Sequence, residues 1–407
     1  MECGLLGRKL AHSYSPQIHK YLADYPYTLH ELEENQVGDF LKNSSFSGLN
    51  VTIPYKKTVI PYCAELSDCA QKVGAVNTIV RRNDGSLIGH NTDYFGFYSM
   101  VLKSGLDVAS KKVLVLGSGG AAVTVIAVLE ELNANVIVIS RTGENNYTNL
   151  HLHADAAVIV NTTPVGMYPN VGSSPVDLAL FPKLEGVLDL IYNPARTKLL
   201  LDAEEKGIIT LNGLWMLVAQ AKESAEWFTG SKIPDSIIQD IYNKLSYQMQ
   251  NIVLIGMPGS GKSTVGQLLA EKLGRKFVDA DTEIQNRTGM TIPAIFASDG
   301  EAQFREMETQ VLADICKESA LVIATGGGCV TQGRNYPYLH QNSLIIWLQR
   351  EIEKLPTNGR PLSQATTLAD MYTLRKPLYS HWSDVAINNN GVPAGTVGAI
   401  QQFIEKG

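Results

Sequence analysis

Short apolar runs alternate with helix-period patterns along almost the whole chain, which predicts an α/β protein with largely parallel sheets. The strand candidates are residues 51–53, 113–116, 136–139, 157–160, 187–190, 252–255, 321–324 and 344–348. Two of them run into helical periodicity, at 123–132 and at 265–273. Residues 233–250 read as a closing helix, with Ile237, Ile238, Ile241 and Leu245 at helical spacing after Pro234. The next strand starts at Asn251 with no Gly/Ser- or Pro-rich spacer, so the halves 1–250 and 251–407 are joined almost directly. No internal repeat or low-complexity segment interrupts this order.

A length of 407 residues suits two or three domains. Apolar content of 44% and charged content of 18% describe ordinary globular protein. A net charge of −6 without any Lys/Arg-rich block argues against nucleic acid as a principal partner. The five cysteines form no C-x-x-C pair, a usage that suits a reducing cytoplasm. Arg8, Lys9 and Pro16 break up the start of the chain, so no secretory apolar region is expected there. The most apolar segments, 113–129 and 321–329, are too short and glycine-broken to span a bilayer, so no membrane is expected. No sequence feature specifies an oligomeric state.

The stretch Gly256-Met-Pro-Gly259-Ser260-Gly261-Lys262-Ser263-Thr264 follows an apolar run and opens a helical pattern, as a P-loop does. Its glycines let backbone N–H groups curl round phosphate oxygens. Lys262 can reach the β- and γ-phosphates of ATP, and the Ser263 hydroxyl can ligate Mg²⁺. In Phe277-Val-Asp279-Ala-Asp281, strand alternation would turn both carboxylates to one side, one for Mg²⁺ and one to accept a proton from an attacking hydroxyl. Gly326, Gly327 and Gly328 would let a ligand approach the backbone, or simply make a flexible turn. Arg305 and Arg375 are candidate forks for a carboxylate, and Arg360 lies in a candidate lid over the transferring phosphoryl group.

A second phosphate loop lies upstream. Val113-Leu-Val-Leu-Gly117-Ser-Gly119-Gly120-Ala121-Ala122 reads as a strand, G-x-G-x-x-A and a helix start, the Rossmann arrangement. The following strand ends in Ser140-Arg141-Thr142, where an NAD enzyme usually carries an acid. Arg141 could pair with the 2′-phosphate of NADP, or be a solvated surface arginine. The first hundred residues carry polar motifs suited to a small polyhydroxylated ligand: His12-Ser13-Tyr14-Ser15-Pro16, Asn50-Val-Thr52-Ile-Pro-Tyr-Lys56, Gly74-Ala-Val-Asn77-Thr78 and Asn91-Thr92-Asp93. Lys56 and Asp93 are the candidate proton-transfer pair for a ketone receiving a hydride; taken singly, each would more often be a surface residue.

These motifs, in this order, resemble shikimate dehydrogenase over residues 1–250. The resemblance implies an N-terminal substrate part (about 1–92 and 212–250), a Rossmann part (about 93–211) and NADP-dependent reduction of 3-dehydroshikimate to shikimate. It places Ser13, Ser15, Thr52, Asn77 and Gln220 around the substrate, and Gly117, Gly119, Gly120, Ala121, Arg141, Thr142 and Gly213 on the cofactor side. Relatives that oxidise quinate share this framework. Lys9 and Tyr94 depart from it, standing where Pro and Gly are common. Residues 251–407 resemble shikimate kinase through F-x-D-x-D, G-E-x-x-F-R, G-G-G, R-P-L and R-x-P-L-Y. This implies a P-loop domain with a parallel sheet, in which Asp281, Arg305, Gly326–Gly328 and Arg375 hold shikimate. Ser263 and Asp279 would serve Mg²⁺, Lys262 the ATP phosphates and Arg360 the lid. Residues 353–358 lack the arginine usual before the lid, with Lys354 as a candidate substitute, and the lid looks short. Since the product of the first module is the substrate of the second, the two resemblances together imply a bifunctional enzyme of aromatic amino-acid biosynthesis. The rival reading keeps one module as a ligand sensor.

Overall fold

The computed structural model describes residues 1–11, 13–355 and 367–406; His12 and Arg360, with the lid motif, lie outside them. The chain forms two compact units, one of residues 1–167, 173–192 and 202–246, the other of 168–172, 193–201 and 247–407. None of the described helices is long and apolar enough to cross a membrane.

The first unit contains two sheets. One is built from β1 (Cys3–Gly7), β2 (Tyr27–Glu31), β3 (Gly48–Val51), β4 (Glu65–Leu66), β5 (Thr78–Arg81) and β6 (Leu87–His90), in the order β2-β1-β3-β5-β6-β4. It is mixed rather than parallel, because a short turn joins β5 directly to β6 and β3 also pairs antiparallel with β5. The sequence reading overlooked most of these strands, which are short and carry glycine and polar residues rather than apolar runs. The strand expected at 51–53 ends at Val51: Pro54 has no N–H to donate, and Ile53 is turned out, 77% exposed. Period-two alternation then sorts β3. Leu49 and Val51 enter the core with Val37, Leu41 and Tyr55, whereas Gly48 and Asn50 face the helix Leu214–Thr229.

The second sheet comprises β7 (Lys112–Leu116), β8 (Asn135–Ile139), β9 (Val158–Asn161), β10 (Gly186–Asp189) and β11 (Ile209–Asn212), all parallel, in the order β11-β10-β9-β7-β8. The order reverses between β9 and β7, which opens a crevice at their carboxyl ends. The second unit holds β12 (Asn251–Ile255), β13 (Lys276–Asp279), β14 (Leu321–Ala324), β15 (Ser343–Gln349) and β16 (Val385–Asn388), parallel throughout, in the order β13-β14-β12-β15-β16. Both faces of this sheet are covered. Val253 and Ile255 enter one core cluster, Ile252 and Leu254 the other, which is why β12 reads as an unbroken apolar run. The helix expected at 233–250 spans Ser236–Met249, with Ile238, Ile241 and Leu245 buried.

A charge cluster built on the buried Lys222–Glu226 pair, with exposed Asp235 and Lys232 at its edge, pins the turn after the helix Leu214–Thr229. Lys222, 4% exposed, sits 2.9 Å from Glu226 and 2.7 Å from Asp235. Glu226 also receives the Ile233 N–H at 2.6 Å and Lys232 at 3.0 Å. Burial would raise the Glu226 carboxyl, yet these donors hold it below its ordinary 4.5; burial would lower Lys222, yet its two carboxylate partners hold it above 10.5. The glutamate contribution is therefore present above pH 4.5 and lost as pH falls through its depressed folded value. The lysine contribution is present below pH 10.5 and lost as pH rises through its raised value. Lys222→Met should destabilise this unit by about 3 kcal/mol at neutral pH. Denaturant titrations should show the deficit shrinking below pH 4.5 as Glu226 protonates. A deficit that stays constant with pH would assign the loss to packing instead.

Candidate active sites

In the first unit a cavity of about 650 Å³ is lined by Ser13, Ser15, Thr52, Lys56, Asn77, Asp93, Gly213 and Gln220, so the residues expected around the substrate converge. Lys9, Asn50, Ala121, Thr124, Tyr192 and Met216 complete much of the wall. Asp93 opens the helix Asp93–Ser104 and Lys56 follows the turn after β3; their side chains meet at 2.6 Å, the lysine 31% and the aspartate 17% exposed. A half-buried ammonium held by a carboxylate at a cavity wall can donate to an oxygen of the ligand and be restored through its partner.

Behind this wall lies a buried hydroxyl–amide network. Thr78 Oγ1 is 3.0 Å from Asn50 Nδ2, 3.1 Å from Asn77 Oδ1, 3.1 Å from Thr92 Oγ1 and 2.8 Å from Ser224 Oγ. The Thr92 N–H donates to Asn77 Oδ1 at 2.7 Å, so the Asn77 amide is oriented and its NH₂ is the group left for a ligand. Tyr27 donates to Asn50 at 2.7 Å and stacks on His19 with ring centroids 4.1 Å apart. Burial pushes His19 down to about 3 and Tyr27 well above its usual range, so the network stays uncharged at neutral pH. The motifs contained Asn50, Thr78 and Thr92 but not their role; Ser224, four residues beyond Gln220, gave no pattern to notice.

The dinucleotide loop follows β7. Gly117 adopts φ +105°, and a Cβ on Gly119 or Gly120 would meet open space at the start of the helix Gly120–Glu131. That opening and the uncapped helix N-terminus fit the pyrophosphate of NADP. Arg141 and Thr142 are exposed at the end of β8, where a 2′-phosphate could be met. Of this set, Ala121 and Gly213 reach the substrate cavity. The carboxyl ends of β9 and β10 are tied together by Asn161 Nδ2, which donates to Asp189 Oδ1 at 3.0 Å. The Tyr94 hydroxyl bonds Glu131, with Lys72 3.3 Å away, linking the Asp93 helix to the nucleotide helix.

In the second unit a cavity of about 490 Å³ is lined by Gly259, Gly261, Lys262, Ser263, Thr264, Asp279, Asp281, Arg305, Gly326–Gly328 and Arg375. Gly256 and Ser260 lie outside this lining; Ser260 is fully buried with its N–H on the Met257 carbonyl at 3.0 Å. Lys262 Nζ rests on the carbonyls of Gly256 and Met257 at 2.9 and 3.0 Å. Ser263 donates to Asp279 at 2.6 Å. Among the described residues no three His, Cys, Asp or Glu side chains could hold a metal by themselves. One hydroxyl and one carboxylate fit Mg²⁺, which takes the rest of its shell from water and phosphate.

Asp279 and Asp281 do not share a face by strand alternation. Asp279 ends β13 and caps the helix Ala280–Thr288, accepting the N–H groups of Asp281 and Thr282 at 3.1 and 3.2 Å. Asp281 therefore enters the cavity from the first helical turn, because a capping carboxylate at this position favours helix over continued strand. The triple glycine is closed in by the protein itself. A Cβ on Gly326 would lie 2.5 Å from Glu308 Oε1 and 2.9 Å from Asp281 Oδ1, and one on Gly327 would lie 2.7 Å from the Pro258 ring. On Gly328 it would strike the Arg305 guanidinium. Arg305, 4% exposed, is held by Glu308 at 2.8 Å and Glu301 at 3.1 Å; Arg375 donates to the Gly327 carbonyl at 3.1 Å. Glu308 was absent from the sequence reading, although its i,i+3 spacing to Arg305 on one helix was a usable signal. Burial raises its carboxyl, Arg305 opposes, and the Asp281 charge adds to the rise.

A family model described as "Shikimate dehydrogenase substrate binding domain" matches residues 5–79, and one described as "Shikimate kinase" matches residues 258–405. A shikimate dehydrogenase (NADP(+)) of Clostridium perfringens is 36% identical over 264 residues, covering 60% of this chain and 97% of its own length. The crystal structure of a chorismate mutase/shikimate 5-dehydrogenase fusion protein from Clostridium acetobutylicum is 38% identical with a TM-score of 0.57, across 60% of this chain and 96% of that one. Shikimate 5-dehydrogenase from Thermus thermophilus, crystallised with NADP(H) and shikimate, is 29% identical with a TM-score of 0.55, across 60% and 99% of the two chains.

The network behind the first cavity yields a direct test. Thr78→Val keeps the side-chain shape but removes the hydroxyl at the junction, and should lower the stability of this unit by about 2 kcal/mol. Thr78→Ser, which retains the hydroxyl, should stay within about 1 kcal/mol of the parent in the same denaturant titration. A Thr78→Val variant as stable as the parent, or a Thr78→Ser variant losing as much as Thr78→Val, would deny the hydroxyl this central part.

Proposed function

This chain belongs to the shikimate dehydrogenase family and carries a shikimate kinase domain, and from that premise we propose that it performs two successive reactions on one small acid. Residues 1–250 would reduce 3-dehydroshikimate to shikimate, and residues 251–407 would phosphorylate the 3-hydroxyl so formed. The reading rests on one feature of the chain: a Lys56–Asp93 pair at 2.6 Å in a hydroxyl-matched cavity accompanies a P-loop cavity that also presents Arg305 and Arg375.

NADPH supplies the hydride in the first reaction, and MgATP the phosphoryl group in the second. Ser13, Ser15, Thr52, Asn77 and Gln220 would hold the carboxylate and hydroxyls of 3-dehydroshikimate, each pairing a donor with an acceptor. Lys56 would give its proton to the ketone oxygen as charge develops there, with Asp93 keeping the ammonium aimed. In the second cavity Arg305 and Arg375 would fork the carboxylate of shikimate. Asp281 would orient its hydroxyl and accept the proton, with Ser263 and Asp279 holding Mg²⁺ and Lys262 and Arg360 offsetting phosphoryl charge.

Incubation of the chain with 3-dehydroshikimate, NADPH and MgATP should give shikimate 3-phosphate by mass spectrometry, and only when both cofactors are present. A kcat/KM higher for quinate with NADP⁺ than for shikimate would overturn the first assignment. The two modules should also separate by mutation. Lys56→Ala should lower the NADPH-linked kcat by about 10²- to 10⁴-fold while phosphorylation of added shikimate continues. Lys262→Ala should do the reverse, letting shikimate accumulate. Turnover unchanged in either variant removes that residue from the mechanism.

A further inference from the structure

β15 ends at Gln349, and the next residue is Arg350. It lines the kinase cavity together with Gly261, Lys262, Ser263 and Thr264. Arg350 Nη1 lies 3.8 Å from the point where a Cβ on Gly261 would stand. Its Nε is buried and has no hydrogen-bond partner among the described residues. The neighbouring acid does not neutralise it: Glu351 is committed to Lys354 at 2.8 Å and to Asn390 at 3.1 Å. Lys354, the candidate substitute for the arginine usual before the lid, is thus engaged with Glu351 and does not line the cavity.

The position is braced against the P-loop. The Asn389 N–H donates to the Gln349 carbonyl at 2.7 Å, its Nδ2 donates to the Ser260 carbonyl at 2.6 Å, and Thr396 donates to its Oδ1 at 2.6 Å. The strand end carrying Arg350 and the loop carrying Gly261 therefore hold one spacing. A guanidinium cannot shed its proton, so a partly buried one without a carboxylate partner is poorly compensated until an anion arrives. The anion available beside Gly261 is a phosphate. The carboxylate forks Arg305 and Arg375 belong to the Gly326–Gly328 side of the cavity.

We infer that Arg350 binds the polyphosphate chain of the nucleotide, acting beside Lys262 as the second fixed cation of this site. The inference rests on reading the cavity as the ATP site. The planar fork of arginine suits two phosphate oxygens, which a lysine would meet only as a point charge.

The test uses the full chain and its Arg350→Ala and Arg350→Lys variants. The measurements are KM for ATP, KM for shikimate and inhibition by inorganic tripolyphosphate, with NADPH-linked reduction of 3-dehydroshikimate as the check on integrity. Arg350→Ala should raise KM for ATP about 10- to 100-fold, the range of charge-assisted hydrogen bonds. It should weaken tripolyphosphate inhibition by a similar factor and leave KM for shikimate within about twofold. Arg350→Lys should recover part of the loss. An unchanged KM for ATP overturns the inference. So does a raised KM for ATP with unaltered tripolyphosphate inhibition, which would assign Arg350 to the base or ribose. A wild-type chain that neither turns over ATP nor is bound by tripolyphosphate removes the reading of the cavity itself, and this inference with it.

Discussion

The Thr78 hydroxyl lies out of water among Asn50, Asn77, Thr92 and Ser224, all within 3.1 Å, and the first cavity depends on that junction. Each partner comes from a different segment: β3, the end of the loop before β5, the start of the Asp93 helix, and the helix Leu214–Thr229. A buried polar group must find a partner or carry its desolvation cost, so these segments can pack in only a narrow set of ways. The one that satisfies the network sets Asn77 and Thr52 on the wall and brings Asp93 to Lys56. The neutrality of His19 and Tyr27 follows from the same burial and keeps uncompensated charge away from the site.

The kinase cavity solves the related problem for charge. Arg305 is nearly out of water, yet Glu301 and Glu308 flank it on its own helix. Glu308 in turn approaches the side of Gly326 that Asp281 also approaches, so a side chain on that glycine would displace both carboxylates. The three glycines thus serve packing as directly as ligand access. Their backbone lets Pro258 of the P-loop, Arg305 and the two carboxylates gather within one small volume. In the first unit, Tyr94 illustrates how a departure from a family pattern can be absorbed. Its hydroxyl finds Glu131 and Lys72, giving a buried phenol the partners it requires.

Loops that act through their own backbone were legible in the sequence. Gly117–Ala122 and Gly256–Thr264 are contiguous, and both stand between a strand and a helix as their spacing predicts. The apolar strands of the two parallel sheets were legible for a related reason: burial on both faces leaves an unbroken apolar run. The mixed sheet escaped because its short strands alternate apolar residues with glycine and polar ones that serve the cavity. The pairing of Asp279 with Asp281 was right as to destination and wrong as to cause, since a cap and a first helical turn replace strand alternation.

The sequence by itself determined which chemistry each half can offer, because phosphate loops, proton-transfer side chains and carboxylate forks are properties of short segments. Tertiary structure alone decided which polar residues support the reacting ones. Thr78 and Ser224 are 146 positions apart. No local period encodes such a pairing. It emerges when apolar faces are buried and the polar groups carried inside with them must find one another. The same holds for Arg350, an ordinary residue in the sequence whose place in the kinase cavity became visible once β15 was paired with the strand that leads into the P-loop.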